Sequence, residues 1–309
     1  MGKYIVRRLL QMIPVVLGAT FIIFAMVFAL PGDPTAGKCG ERPCSPEYVA
    51  KFREEHNLND PLPVQYGKYL GKFVQGDLGT NYYGIPVKED LAKRYTITGR
   101  LALMAIGFEI VIGILAGTLA GVRKGKFIDN LVTVSTLFVI SIPVFVIGVL
   151  LQYQFGIKWG LFPATVPSLE ASTWSLVLPA FVLGSLSIAY VARLTRTNLV
   201  ENLRADYVRT AVAKGLTKRR AVGVHTLRNS LIPVVTYIGA DFGSLLGGAI
   251  VTERIFNIQG VGGYIWKGIN SRDGVAVVST VTVLVVVYLL VNLLVDLLYG
   301  VLDPRISHD

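Results

Sequence analysis

Long apolar runs dominate this 309-residue chain and leave little freedom in what it can fold into. Six of them, at residues 9–30, 101–122, 131–155, 176–192, 231–252 and 275–301, lie near the roughly 20 residues that a helix needs to cross the hydrocarbon core of a bilayer. In lipid every backbone N–H and C=O must find its partner within the chain, so helix is the expected form of each run. Charged residues make up only 16% of the chain, against about a quarter in a soluble domain. The expected class is therefore an all-α integral membrane protein with six transmembrane helices. Pro14, Pro143 and Pro179 fall inside the runs, where neighbouring helices and water are expected to absorb them. The run at 176–192 is the weakest, being short with Pro179 near its start.

Charge sets the orientation. The formal charge of +10 would suit a nucleic-acid partner only if it were gathered on a soluble module, and it is not. Arg123, Lys124 and Lys126 follow the second run, and residues 193–228 hold nine basic side chains against Glu201 and Asp206. Residues 156–175, by contrast, carry only Lys158 and Glu170. The positive-inside tendency then places both termini and the basic loops in the cytosol, and the loops after the first, third and fifth runs outside. Lys3, Arg7 and Arg8 precede the first run, which is longer than a signal-peptide core and lacks a small-residue cleavage site, so it reads as an anchor that stays. The resulting division is a first helix within 1–30, an outer cap at 31–95 and a five-helix core at 96–309 with a cytosolic loop at 193–230.

The outer segment is too long for a connector and carries nine basic and nine acidic residues. Pro31-Gly-Asp-Pro34 signals a turn at the helix exit. Ser45-Pro46-Glu47 has the order of an N-cap followed by Pro in the first turn, and residues 63–74 suggest a second short helix. Tyr48, Val49, Phe52 and Leu58 would share one apolar face of the first of these. Cys39 and Cys44 are the two cysteines of the chain, and outside the membrane a disulfide across their short turn is the leading reading, with two free thiols as the alternative.

The cytosolic loop has a pattern that basic charge alone does not require. Asp206 is placed to cap a helix beginning near Tyr207, and Gly215 to stop it. So short a helix is marginal alone in water and needs a partner surface. Tyr207, Arg209, Ala211, Ala213 and Lys214 would form its docking face, and Thr217 is placed to cap the next helix.

Inside the runs, Gly113, Gly117 and Gly121 recur at every fourth position, as do Gly239, Gly243 and Gly247. Such stripes let helix backbones approach closely. Intramembrane acids are costly and normally face water or a partner. Glu109 and Asp241 are candidates for a pathway, and Asp296, near a helix end, is placed to pair with an arginine.

Tyr207-Val-Arg-Thr-Ala-Val-Ala-Lys-Gly215, followed by His225-Thr-Leu-Arg-Asn229 and Pro233, resembles the "EAA" coupling loop of bacterial ABC-importer permeases. The match is to the first permease subunit of dipeptide/oligopeptide importers and spans the chain. It includes Arg7-Arg-Leu, Pro31-Gly-Asp-Pro34, Gly76-Asp-Leu-Gly79, Thr252-Glu-Arg-Ile-Phe256 and Leu290-Val-Asn-Leu-Leu-Val-Asp-Leu-Leu-Tyr-Gly300. Val212 stands where the family usually has Arg, Gln259 where Pro is common, and the two cysteines are not general to it. The resemblance implies a second permease subunit, two ATPase subunits or one fused ATPase that receive the coupling helices, and an extracytoplasmic solute-binding protein. ATP and Mg would belong to the ATPases. The chain has no phosphate loop of the Gly-x-x-x-x-Gly-Lys-Ser/Thr type, so no bound cofactor and no catalytic residue are expected of it.

Three alternatives remain at this point. Nickel, glutathione or a haem-like ligand would suit the same architecture. A self-sufficient secondary transporter would use Glu109 as a proton or ion site. A membrane-embedded enzyme has the least support, since His56, His225 and His308 are widely separated and make neither a metal nor a nucleophile constellation.

Overall fold

A computed structural model describes residues 2–29, 44–55 and 59–302. Leu58, the 31–34 turn and Cys39, and with Cys39 the expected Cys39–Cys44 bridge, lie outside them. In chain order the helices are α1 (Gly2–Phe28), α2 (Pro46–Glu55), α3 (Leu62–Val74), α4 (Val87–Phe108), α5 (Ile114–Val122), α6 (Phe127–Ser141), α7 (Val144–Leu151), α8 (Thr173–Asn202), α9 (Asp206–Ala213), α10 (Lys218–Arg220), α11 (Leu227–Ile255), α12 (Val261–Asn270) and α13 (Gly274–Leu302). π-helical turns join α4 to α5 (Glu109–Gly113), extend α7 (Gln152–Lys158) and lead into α11 (Ala221–Thr226). Among the described residues the only strand-like pairing is an isolated bridge between Thr80 and Pro86. Five helices are long and apolar enough to span a bilayer, and a sixth span arises if the bent pair α6–α7 counts as one.

Two expectations about the spans need correction. The third run is not a continuous helix. It breaks at Ile142-Pro143 and turns by 103°. Pro disfavours helical geometry in the residue before it, and Ile142 is accordingly extended at φ −104°, ψ 130°. Pro14, Pro179 and Pro233, by contrast, sit inside intact helices. The fourth span is also not short. α8 runs for 30 residues, and 72% of its most apolar stretch is buried, against 33% for the comparable stretch of α11. Apolar patterning stops at Ala192, but the helix continues through Arg193, Arg196 and Glu201.

By packing, the chain divides into two units, Met1–Thr98 with Ile258–Asp309, and Gly99–Asn257. This differs from the division at residues 30 and 95, because α12 and α13 pack with the N-terminal helices.

In the first unit α1 and α13 lie together, and a Cβ at Gly274 would come within 2.7 Å of Val27. α3 is pinned to them by an aromatic cluster. The Phe24 ring lies 5.6 Å from Tyr66 and 5.5 Å from Tyr69. The Tyr66 hydroxyl donates to the Leu17 carbonyl at 2.9 Å, and that of Tyr69 donates to Thr282 Oγ1 at 2.8 Å. Burial pushes the Tyr69 hydroxyl above its ordinary pKa, with the Thr282 and Ser279 hydrogen bonds opposing the shift. Ser45 caps α2 by accepting from the Tyr48 N–H at 3.3 Å. Asp77 accepts from the Gly79 N–H at 2.9 Å, and Gly79 has φ +74° with Val275 only 2.8 Å from where a Cβ would stand. Only glycine fits both demands. α12 has no counterpart in the sequence reading. Its Tyr264 stacks under the Arg94 guanidinium at 4.6 Å and receives an Asn81 amide at 3.3 Å.

In the second unit α8 is the central element, touched by α5, α6, α7 and α11. Gln152, at the start of its π-helical turn, donates to the carbonyls of Ala164 at 2.7 Å and Ile255 at 2.8 Å, tying the end of the broken span to the end of α11.

Candidate functional site

α9 follows α8 after a three-residue turn and is only eight residues long. Its N-cap is Ala205, extended at ψ 146° and making no side-chain bond. Asp206 is therefore not the cap that the sequence suggested. It is the first helical residue, where its charge still complements the exposed N–H groups of the helix start. Thr210 stabilises that turn by donating to the Asp206 carbonyl at 2.9 Å.

The C-terminus is built as the sequence predicts. The Gly215 N–H donates to Val212 O at 2.9 Å and the Leu216 N–H to Ala211 O at 3.2 Å. These are the two bonds of a Schellman motif, and Gly215 takes the left-handed conformation it requires, at φ +92°. Thr217 then accepts from the Arg220 N–H at 3.4 Å, opening α10.

One side of α9 is anchored and the rest is presented. Val208 is buried and faces a cleft it shares with Leu203, Ala221 and Val222. Asp206, Tyr207, Arg209, Val212, Ala213 and Lys214 are exposed, while Ala211 is half-buried. Arg209 and Asp206 form a loose pair at 3.7 Å, with side chains 77% and 96% exposed, so it holds little energy. Tyr207 reaches back to Asn202 Oδ1 at 3.0 Å, linking α9 to the end of α8. Ser230 donates to Asn198 O at 3.3 Å and to Thr226 O at 2.7 Å, which joins α8 to the start of α11.

Deeper in this unit, α5 lies close against α8. A Cβ added at Gly113 would stand 2.6 Å from Val191, and one at Gly121 would stand 3.0 Å from Leu199. At Gly117 it would run into the Ala192 carbonyl and come within 2.6 Å of Thr195. The second stripe behaves differently. Gly243 is buried and Gly239 half-buried, but a Cβ at Gly247 would meet nothing within 4 Å. Close packing is thus not the role of Gly247 among the described residues of this chain.

The structure brings together the two acids singled out as pathway candidates. Glu109, on the π-helical turn after α4, is fully buried. Its charged neighbour is Asp241 of α11. Asp241 accepts from Ser187 Oγ at 2.6 Å and from Ser244 Oγ at 3.1 Å. Tyr237 lies beside them, its ring centre 6.2 Å from that of Tyr190. Asp296 is elsewhere, in the first unit, paired with Arg8 at 3.1 Å.

Sequence reasoning missed three features. Arg196 and Asp129 form a two-pronged ion pair. It has a bond between Arg196 Nε and Asp129 Oδ1 and one of 2.8 Å between Nη2 and Oδ2, which also accepts the Gly125 N–H at 2.8 Å. Only a linear excess of basic charge was visible there, since the partners are 67 residues apart. Glu253 is a further buried acid, because α11 continues past Thr252 to Ile255. α12 was read as loop, although its alternation of buried and exposed positions is helical.

The sequence matches the family described as "Binding-protein-dependent transport system inner membrane component" over residues 110–308, and the N-terminal component of such membrane proteins over residues 1–85. It is 37% identical over 337 residues to the dipeptide transport system permease protein DppB of Escherichia coli strain K12, an alignment covering all of this chain and 99% of that protein. It is equally similar, at 37% over 334 residues and the whole of both chains, to the protein of the same name from Alkalihalophilus pseudofirmus. The di/tripeptide transport system permease protein DppB of Pseudomonas aeruginosa is also 37% identical, with 100% of this chain and 99% of that protein covered. With these matches over the length of the chain and apolar helices able to span a membrane, this chain belongs to the family of inner membrane components of binding-protein-dependent transport systems.

Proposed function

We propose that this chain is one of two permease subunits that together form the pathway of an ATP-driven importer of short peptides. The single observation that carries the reading is α9. It is a short helix fixed on one face by Val208, closed by Gly215 and largely exposed elsewhere; Tyr207 ties it to Asn202 of α8, and α8 is joined to α11 by the Ser230–Asn198 bond. An ATPase that seats α9 in a surface groove and closes on ATP would move both helices. The peptide cargo is supported by full-length similarity to proteins named for dipeptide and di/tripeptide transport. In this reading both termini and α9 face the cytosol, and the outer segment before α4 faces the solute-binding protein. Two ATPases, or one fused chain, supply hydrolysis, and the permease binds neither ATP nor Mg.

The test is purification of the intact complex from its native membrane, followed by reconstitution in proteoliposomes with the co-purifying binding protein. ATP-dependent accumulation of a labelled dipeptide is the expected result. Accumulation that persists when the co-purifying ATPase is made hydrolysis-dead would contradict the reading, and so would a complex that accumulates nickel or glutathione but no peptide.

A further inference from the structure

The surroundings of Glu109 differ from those of every other acid in the second unit. The carboxyl is 0% exposed, and neither of its oxygens meets a hydrogen-bond partner among the described residues. Among the described residues the titratable side chains that act on it are Asp241 and Tyr237, both of α11, and Asp241 is in turn held by Ser187 of α8 and by Ser244. Val191, Val234 and Ile238 form an apolar core against which Tyr237 and Ile106 pack. The charged side chain that acts on Glu109 is that of Asp241, another acid.

An ionised carboxylate without hydrogen bonds cannot be held in such a place beside a second carboxylate. The desolvation and the like-charge repulsion both oppose it, and among the described residues no cation offsets them. The two acids are not equivalent. Asp241 is half-buried and accepts two hydroxyl hydrogen bonds, so its oxygens are provided for. Glu109 has neither advantage. A π-helical turn at its position adds a local backbone irregularity of the kind that recurs at functional sites.

We propose that Glu109, beside Asp241, is a binding site for one proton within the membrane, held on the Glu109 carboxyl. The proton enters as H⁺ on a Glu109 carboxylate oxygen and leaves the same way, with no other bond made or broken. Any rearrangement of α4, α8 and α11 that wets Glu109 removes the reason for keeping it, so proton occupancy follows the packing of this unit. This assignment does not depend on which solute is transported.

The test is infrared spectroscopy of the intact complex in lipid, comparing wild type with Glu109→Gln at neutral pH. The expected result is a carbonyl stretching band of a protonated carboxylic acid that is present in wild type, absent in Glu109→Gln and retained in Asp241→Asn and in the loop control Glu170→Gln. Loss of a carboxylate band instead of an acid band in Glu109→Gln would overturn the proposal. Gln has the shape and neutrality of the protonated acid, so the variant is expected to assemble, and failure to assemble also counts against it. Replacing sodium by choline should leave the acid band unchanged. A band that appears only without sodium would assign the site to a metal cation and overturn the proton.

Discussion

Arg196 grips Asp129 through two of its guanidinium nitrogens, one to each carboxyl oxygen, and so fixes the start of α6 to the polar extension of α8. The Asp129 side chain keeps only 3% of its surface exposed and that of Arg196 keeps 28%, which places the pair between the surface and the buried regime. Planar, bidentate geometry of this kind is specific to arginine.

Removing one partner should therefore cost more than removing both. Asp129→Ala leaves a partly buried guanidinium unpaired and is expected to destabilise the chain by about 2–4 kcal/mol, somewhat below the cost for a fully buried pair. Arg196→Lys keeps the charge but loses the fork, and should lie between wild type and Asp129→Ala. A double-mutant cycle with Asp129→Ala and Arg196→Ala, read by thermal unfolding in detergent, should give a coupling energy of at least about 1 kcal/mol. Simple additivity would show that the pair is a contact without energetic weight.

The two glycine stripes make opposite predictions. Gly117→Val forces atoms into the Ala192 carbonyl and Thr195, and overpacking of this kind costs about 1–3 kcal/mol or more. Gly247→Ala enters open space on an intact helix and should leave the stability of the isolated chain unchanged or raise it by up to about 1 kcal/mol. Melting temperatures of the two variants, measured side by side, decide the matter. Equal effects would mean that the α5–α8 contact is not close-packed.

Gln152→Leu keeps the volume but strips the donors from two carbonyls, Ala164 O and Ile255 O. Each buried acceptor left without a partner costs about 1–3 kcal/mol. The variant should open the region around the broken third span, seen as faster hydrogen exchange of the α7 π-helical turn. Unchanged protection would assign Gln152 no role in holding that turn.

Much of this was readable from local chemistry. Ser45 with Pro46, Gly215 with the two residues before its stop, and Thr217 all act where the chain order places them, because caps and left-handed stops are decided within four or five residues. Asp206 failed as a cap for an equally local reason. Ala205 already adopts the extended conformation of that position, so the helix starts one residue earlier. The break at Pro143 was not readable, since the same residue type leaves α1, α8 and α11 intact, and the outcome depends on what neighbours supply. α8 was underrated because hydropathy reports where lipid-like character ends, and its helix continues into charge. The Arg196–Asp129 pair and the meeting of Glu109 with Asp241 required knowledge of which helix faces which. Periodicity within a single span does not contain that.

The central claim is that α9 transmits work only when its end is correctly turned. At φ +92° a residue other than glycine pays about 1–2 kcal/mol of backbone strain, although Gly215 has open space where a Cβ would stand. Gly215→Ala should therefore weaken coupling modestly, and Gly215→Trp should abolish it by also obstructing the docking face. The direct measurement is the number of dipeptides accumulated per ATP hydrolysed in proteoliposomes holding the complete complex. For Gly215→Trp we predict normal insertion and assembly with transport per ATP reduced at least about tenfold, the size of effect that each 1.4 kcal/mol produces. A wild-type ratio, with normal substrate-stimulated hydrolysis, would contradict the account.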